Sequence, residues 1–226
     1  MHPFPLRPLT FTLLTFLLLL LTTHLTSTTA SSKLQISPYS SPEHLLDLST
    51  ITRPHALLAL ALQDMDPTTP AYALTPYKAA FNWPHVMSNL SARAAAEDFH
   101  FPKTKFYIIV FRSQIEPGTN RHELGAMDMV AHREAVESGW LLKYWFGVPD
   151  ELGYNLATCV WRDIKDARRG GRGKGHQAAM KAVRGLYKKW EVERLALVVG
   201  EGVKEWDIVK WEEAAKEEEV NGGGEL

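Results

Sequence analysis

Residues 106–111, with the sequence FYIIVF, predict a β-strand because all six are aromatic or β-branched. A run without polar residues is typical of a strand that is covered on both faces. Further strand patterns lie at 140–146, 154–161 and 195–199. Helix patterns occupy the two long connections, at 121–138 and 175–190. The order is therefore β-α-β-β-α-β, which predicts an α+β fold of the ferredoxin-like type.

The rest of the chain divides into three further segments around this core domain, which we place at residues 100–211. Residues 1–30 have the composition of a leader, and residues 31–99 form an arm rich in Pro and Ser. Within the arm, prolines at the start of two apolar patterns predict short helices at 54–64 and 84–97. Residues 212–226 are acidic and end in a glycine run, so we expect a disordered tail.

The leader resembles a secretory signal peptide or a short anchor. An apolar run at 11–21 follows Arg7 and precedes a Thr/Ser-rich segment that ends at Ala30. The run is shorter than the roughly 20 residues of a membrane-spanning helix. A mitochondrial presequence would contain more arginine. We expect the secretory pathway if the leader is genuine and the cytoplasm otherwise, with membrane contact only through an uncleaved leader. In the secretory pathway, the sequon at Asn89 would be a glycosylation site.

Composition excludes several classes of function. Lys and Arg number 25 against 26 Asp and Glu, so the chain lacks the positive charge that nucleic-acid binding requires. The single cysteine, Cys159, cannot form an internal disulfide and lies in an apolar strand, which predicts a buried structural thiol. The spacing of His, Cys and Asp matches no metal motif, and no serine-hydrolase elbow is present. We therefore predict no metal and no cofactor.

Two resemblances add to this pattern. Residues 106–113, 138–147 and 155–161, together with His176, are similar to an uncharacterised protein family of fungi over about residues 49–211. That resemblance implies no particular activity. Residues 161–167 and His176 also resemble the strand-to-helix passage of dimeric α+β barrel proteins, a group that includes cofactor-independent monooxygenases, isomerases and decarboxylases.

The barrel resemblance implies a homodimer in which two layers pack sheet to sheet and each subunit encloses a pocket. One face of so apolar a sheet would be covered by helices and the other by a partner or by the N-terminal arm. Along the hairpin strands, alternation places Lys143 and Trp145 on one face and Tyr144 on the other. It also places Asn155, Cys159 and Trp161 opposite Thr158.

Candidate site residues follow from these positions. Proton transfer is assigned to His176, Lys143 and His132. His132 lies four residues after Asp128, a spacing at which we expect the carboxylate to orient the imidazole ring. A substrate would be bound by Arg112, Tyr144, Trp145 and Trp161. Each charged candidate also has a structural alternative: Lys143 extending to a sheet edge, His132 on a solvated helix face, His176 capping a helix, and Arg112 pairing with an acidic side chain.

The sequence favours a protein that binds a small molecule and acts as a cofactor-independent oxygenase, isomerase or decarboxylase of an apolar metabolite. The alternative is a non-catalytic interaction domain in which the same aromatic residues fill a core. A second alternative rests on residues 168–175, RRGGRGKG, which resemble the pyrophosphate loop of CoA-dependent N-acetyltransferases.

Overall fold

The computed structural model describes residues 32–222, so the predicted leader and the last four residues of the tail lie outside the described residues. The strands are β1 (Lys33–Gln35), β2 (Leu45–Asp47), β3 (Thr104–Ile115), β4 (Leu141–Phe146), β5 (Tyr154–Trp161), β6 (Tyr187–Val199) and β7 (Trp206–Lys210). The helices are α1 (Arg53–Ala61), α2 (Tyr77–Ala80), α3 (Trp83–Ala96), α4 (Arg121–Glu137), α5 (Ile164–Gly170), α6 (Lys174–Leu186) and α7 (Trp211–Gly222).

The main sheet has five strands in the order β4-β5-β3-β6-β7, with every neighbouring pair antiparallel. Strands β3, β4, β5 and β6 and the connecting helices α4 and α6 follow one another as β-α-β-β-α-β. Numbered within that unit, the strand order is 2-3-1-4, which is the ferredoxin-like arrangement. The predicted fold class is therefore confirmed.

Strand β6 begins at Tyr187, whereas the sequence predicted helix to residue 190 and strand only from residue 195. Its first half contains Lys188, Lys189, Glu191 and Glu193, a composition that reads as helix. Pairing with the long strand β3 outweighs this local preference, since register runs continuously from Thr104 opposite Val199 to Gln114 opposite Lys189. Strand β7 was not predicted, and it extends the sheet beyond β6.

The N-terminal arm covers the face of the sheet that α4 and α6 leave open. Tyr77 and Thr158 share a hydrogen bond of 2.8 Å between their hydroxyl groups, and the Phe81 ring lies edge-on to Trp145 with centroids 5.0 Å apart. Trp83 and Leu90 of α3 are fully buried. Sheet-to-sheet dimerisation, which the barrel resemblance implied, would require this same face. The chain's own arm occupies it.

The segment predicted as a disordered tail forms helix α7 up to Gly222, which corrects that prediction. Its sequence is rich in Glu and also contains Ala and Lys, all good helix formers. The first turn is anchored, because the Trp211 ring lies 4.8 Å from that of Tyr107 and the Ala214 side chain is buried.

The start of the arm runs along the outer edge of β4. The backbone N–H of Tyr144 donates to the carbonyl of Ile36 at 2.8 Å, so the arm satisfies an edge that would otherwise be unpaired. The chain then passes through Tyr39 and a 3-10 turn at Pro42–His44 before returning as β2. This path brings Tyr39 and His44 against α4.

Candidate functional site

A cavity of about 410 Å³ lies between the sheet and the helices α4 and α6. This volume is within the range of small-molecule sites. Most of its wall is apolar or aromatic: Phe111, Leu124, Met127, Leu141, Phe146, Cys159, Trp161, Met180, Tyr187 and Trp190. The polar side chains that line it include Tyr39, Asp128, His132, Tyr144 and His176.

Helix α4 carries the central carboxylate of the cavity. The side chain of Asn120 caps the helix by accepting from the N–H groups of His122 and Glu123. Two turns further on, Asp128 accepts hydrogen bonds from the hydroxyl groups of Tyr39 at 2.5 Å and Tyr144 at 2.6 Å, one on each carboxylate oxygen. One donor comes from the arm and the other from β4, so three segments meet at this carboxylate.

Burial raises the pKa of Asp128, and the hydrogen bonds from the two tyrosines oppose that rise. Burial and the neighbouring carboxylate also raise the pKa of Tyr39 and of Tyr144, so both hydroxyl groups remain protonated donors at neutral pH. A carboxylate whose pKa is raised towards neutrality is a stronger base than an exposed one.

His132 lies next to this carboxylate, but its hydrogen-bond partner is another residue. Its Nδ1 is 2.7 Å from the Nδ1 of His44, which corrects the prediction that Asp128 orients its ring. His132 is only 4% exposed, and burial together with His44 lowers its pKa to about 3. Its Nε2 is buried without a hydrogen-bond partner among the described residues. The Nε1 of Trp161, another residue of the cavity wall, is likewise buried without a partner among these residues. Both nitrogens are polar groups that a ligand could satisfy.

His176 reaches the cavity from the first turn of α6. Burial lowers its pKa, while the charges of Glu134 and Asp128 act in the opposite direction. His176 is the third residue of α6, so its predicted position at the start of a helix is correct. The charge of Asp128 acts on its ring. The cap of this helix is supplied by Glu134, whose carboxylate accepts from the N–H groups of Gly175 at 2.8 Å and His176 at 2.7 Å.

That cap bears on the acetyltransferase alternative. The N–H groups at the start of α6 would hold the pyrophosphate of CoA, yet they already bind the carboxylate of Glu134. A Cβ atom at Gly173 or Gly175 would collide with Glu134 or Val130 of α4. The glycines are therefore explained by the close contact of two helices.

Two of the residues predicted to bind a substrate, Tyr144 and Trp161, lie in the wall of this cavity. Cys159 lies beside them, and burial raises its pKa well above the ordinary value, which agrees with a structural thiol. The alternation predicted along β4 and β5 is correct, since Thr158 faces the arm and Cys159 the cavity.

Three predicted residues lie on the opposite face of the sheet, which corrects their assignment to this site. Arg112 donates to the carbonyl groups of Ala73 at 2.5 Å and Thr75 at 2.8 Å and pairs with Glu193, so it holds the arm. Trp145 packs against Phe81 of the arm. Lys143 is buried beside Gln63. The reason is strand alternation, because even and odd positions of one strand cannot face the same cavity.

Tyr39 and His44 are the site residues that sequence reasoning missed. Both belong to a Ser/Pro-rich stretch with no periodic pattern, and their rings pack 5.0 Å apart. The one available signal was the presence of an aromatic residue and a histidine in an otherwise small and polar segment. Within residues 32–222, no helix has the length and hydropathy to span a bilayer. Over the same residues, no three His, Cys, Asp or Glu side chains are grouped as metal ligands would be.

Two solved structures share part of this fold at low identity. A conserved protein from Methanosarcina mazei Go1 is 12% identical, with a TM-score of 0.36, and the match covers 39% of this chain and 89% of that one. SnoaB, a cofactor-independent oxygenase from Streptomyces nogalater, is 13% identical, with a TM-score of 0.33 and coverage of 40% and 90%. Likeness at this level carries no argument about activity.

The relationship in sequence is much closer. The UPF0643 protein PB2B2.08 of Schizosaccharomyces pombe, a fungus, is 42% identical over 185 residues, which cover 79% of this chain and 84% of that protein. The family model described as PB2B2.08-like matches residues 35–210, a range that includes most of the arm, the main sheet and every residue of the cavity named above. The chain therefore belongs to the uncharacterised PB2B2.08-like family of fungal proteins.

Proposed function

We propose that the protein binds a small apolar molecule in the cavity between the sheet and α4, and that it catalyses a proton transfer on that molecule without a cofactor. The observation that carries the proposal is the unpartnered Nε2 of His132 in a wall that is mostly apolar or aromatic. A buried polar atom without a partner is costly, and a ligand that hydrogen-bonds it removes the cost.

The chemistry follows from the groups beside that nitrogen. Asp128 is the proton acceptor, because burial raises its pKa and the two tyrosines hold its oxygens in place. His132 is uncharged at neutral pH and hydrogen-bonds the ligand, while His176 exchanges a proton on the α6 side. Lys143, Trp145 and Arg112 take no part.

These roles suit three related reactions. Isomerisation requires only a base and an acid. Decarboxylation requires a proton for the carbanion that loss of CO₂ leaves. Oxygenation would use O₂ as a co-substrate once the base has removed a proton from carbon. All three depend on a proton moved in a largely apolar cavity, where the electrostatic influence of Asp128 is stronger than in water.

The test has a binding stage and a chemical stage. The full chain is purified from a fungal host, and the bound molecule is released and identified by mass spectrometry. It is then incubated with the protein in D₂O, where proton transfer exchanges a hydrogen of the ligand for deuterium. We expect Asp128→Asn to abolish the exchange, and Glu137→Gln, an exposed position on the same helix, to leave it unchanged. Absence of any bound molecule, together with no thermal shift from a panel of apolar compounds, would refute the proposal.

Binding without catalysis is the second candidate function. Each oxygen of Asp128 already accepts a hydrogen bond from a tyrosine hydroxyl, as the oxygens of a purely structural carboxylate would. Ligand binding without deuterium exchange in the same experiment would support this alternative over catalysis.

We also propose that residues 1–30 direct the chain into the secretory pathway, on the basis of their composition. Asn89 lies within α3, where its side chain donates to Asp64 and accepts from Arg93. A glycan there would disturb both contacts. Localisation of a C-terminal fluorescent fusion with and without residues 1–30 tests the leader, since a cytoplasmic signal from both would refute it.

A further inference from the structure

A second cavity of about 310 Å³ lies on the other face of the sheet, at the outer edge of β4. The start of the arm forms one wall and the 3-10 turn that follows α1 forms another. Its lining side chains include Gln35, Ser37, Gln63, Lys143 and Trp145. It differs from the first cavity in that its wall contains an amine, which amide and hydroxyl groups surround.

Lys143 is the unusual member of this group. Its side chain is buried, with a residue exposure of 9%. Among the described residues, its one hydrogen bond is a long contact of 3.5 Å to the Oε1 of Gln63. The Nε2 of Gln63 in turn donates to the carbonyl of Ala59 at 2.8 Å, so the amide orientation is fixed by α1. None of the ion pairs found in the described part of the chain includes Lys143.

A buried ammonium group with three donors needs close acceptors or a counter-ion to offset its lost hydration. Lys143 has one distant acceptor, so its environment favours the uncharged amine. Burial accordingly lowers the pKa of Lys143, and the charges of Asp64 and Asp66 oppose this only in part. An uncharged amine has a lone pair and is a nucleophile.

We propose that Lys143 forms a Schiff base with small polar aldehydes that enter the second cavity. The nitrogen lone pair adds to the carbonyl carbon to give a carbinolamine, which loses water to leave an imine with a C=N bond. No oxidant or reductant is consumed. The protonated imine is a cation, and the charges of Asp64 and Asp66, which act on Lys143, stabilise it without contact.

Ser37 supports this chemistry from the opposite wall. Its hydroxyl oxygen accepts from the backbone N–H of Tyr39 at 3.2 Å, which leaves the hydroxyl hydrogen to donate to the carbonyl oxygen of the aldehyde. At about 310 Å³ the cavity lies at the small end of the range of small-molecule sites, so the class of ligand is a short hydroxyaldehyde. This assignment is independent of the first cavity, which faces the other side of the sheet.

The experiment compares lysines within one molecule. The full chain is treated with glycolaldehyde and sodium cyanoborohydride at neutral pH, and the initial rate of labelling at each lysine is measured by peptide mass spectrometry. We expect Lys143 to be labelled at least tenfold faster than Lys188 and Lys103, which are both exposed. In concentrated guanidinium chloride, all three should react at similar rates.

Two results would overturn the proposal. One is a labelling rate of Lys143 in the folded chain that is equal to or lower than that of the exposed lysines. Such a rate would mean that burial protects the amine from the aldehyde. The other is a rate advantage that persists after unfolding, since that would come from local sequence. Lys143→Met should remove the fast-labelled peptide, and Lys103→Met should leave its rate unchanged, with circular dichroism confirming that both variants fold.

Discussion

The Nδ1 atoms of His44 and His132 lie 2.7 Å apart, so one imidazole donates its ring hydrogen to the other across the boundary between the arm and α4. Both rings are buried, at 2% and 4% exposure. A pair of neutral imidazoles can share a hydrogen bond only if one presents N–H and the other a lone pair. Charging both would place two cations in contact.

Replacement of His44 by Ala should destabilise the protein. It leaves Nδ1 of His132 without a partner, in addition to Nε2, and a buried unsatisfied polar atom costs about 1–3 kcal/mol. The free energy of unfolding, measured in urea, should fall by that amount. His122→Ala, an exposed position in the first turn of α4, should leave it nearly unchanged. Equal stability of the two variants would contradict the role assigned to the pair.

Stability should fall as the pH decreases below about 6.5, the ordinary pKa of histidine. The pKa of His132 is about 3 in the folded protein, so between these values the unfolded chain binds a proton that the folded chain does not. That difference costs about 1.4 kcal/mol for each pH unit. His44 and His176, whose pKa values are also lowered, act in the same direction.

Asp128 works against this trend, because its raised pKa lets the folded protein hold a proton that the unfolded chain has released. The pKa of Asp166 is also raised, and the pKa of His55 is lowered to about 4. Two carboxyl groups therefore oppose four histidines, so the net effect should be acid destabilisation. Urea unfolding at several pH values between about 7.5 and 4.5 measures it. His132→Asn should flatten the dependence, and an unchanged slope in that variant would contradict the assigned pKa.

Gly175→Ala and Gly185→Ala should have opposite effects, although both lie in α6. A Cβ atom at Gly175 meets Val130 and Glu134 of α4, whereas at Gly185 nothing lies within 4 Å. Crowding in a packed interface costs about 1–3 kcal/mol, while alanine at an open helical position gains up to about 1 kcal/mol. Thermal unfolding of the two variants separates the effects. A Gly175→Ala variant as stable as Gly185→Ala would contradict the close contact of α4 and α6 at this position.

Arg112→Met should release the arm segment at residues 72–75 and leave ligand binding in the first cavity intact. Arg112 holds the carbonyl groups of Ala73 and Thr75, and it faces away from that cavity. Limited proteolysis should therefore cut this segment faster in the variant. Glu193→Gln keeps the carbonyl contacts and should be cut more slowly than Arg112→Met. Loss of ligand affinity without faster cleavage would instead support the substrate-binding role predicted from sequence.

The local sequence pattern was sufficient to predict those strands of the fold that are apolar. The run at 106–111 and the hairpin strands β4 and β5 were recognised because aromatic and β-branched residues dominate them. The first half of β6 was misread as helix because charged residues fill it, and only its long-range pairing with β3 makes it a strand. Contacts between distant segments leave no trace in a local window.

The same distinction applies to the site. All seven candidate residues were assigned to one pocket, and the structure brings four of them together at the first cavity: His132, Tyr144, Trp161 and His176. Lys143 and Arg112 were assigned by chemical type, against the alternation that put Lys143 opposite Tyr144. Tyr39 and His44 could not be found at all, since about ninety positions separate them from Asp128 and His132 in the chain and their contact depends on the folded arm.

The arm that covers the second face of the sheet belongs to the same polypeptide as the sheet itself. Its local concentration is set by the chain connection between α3 and β3 and is unaffected by dilution. A sheet that depended on another copy for this cover would expose its apolar face when protein is scarce. Here each newly made chain carries its own cover, so a single copy in a cell can assemble the complete apolar interior.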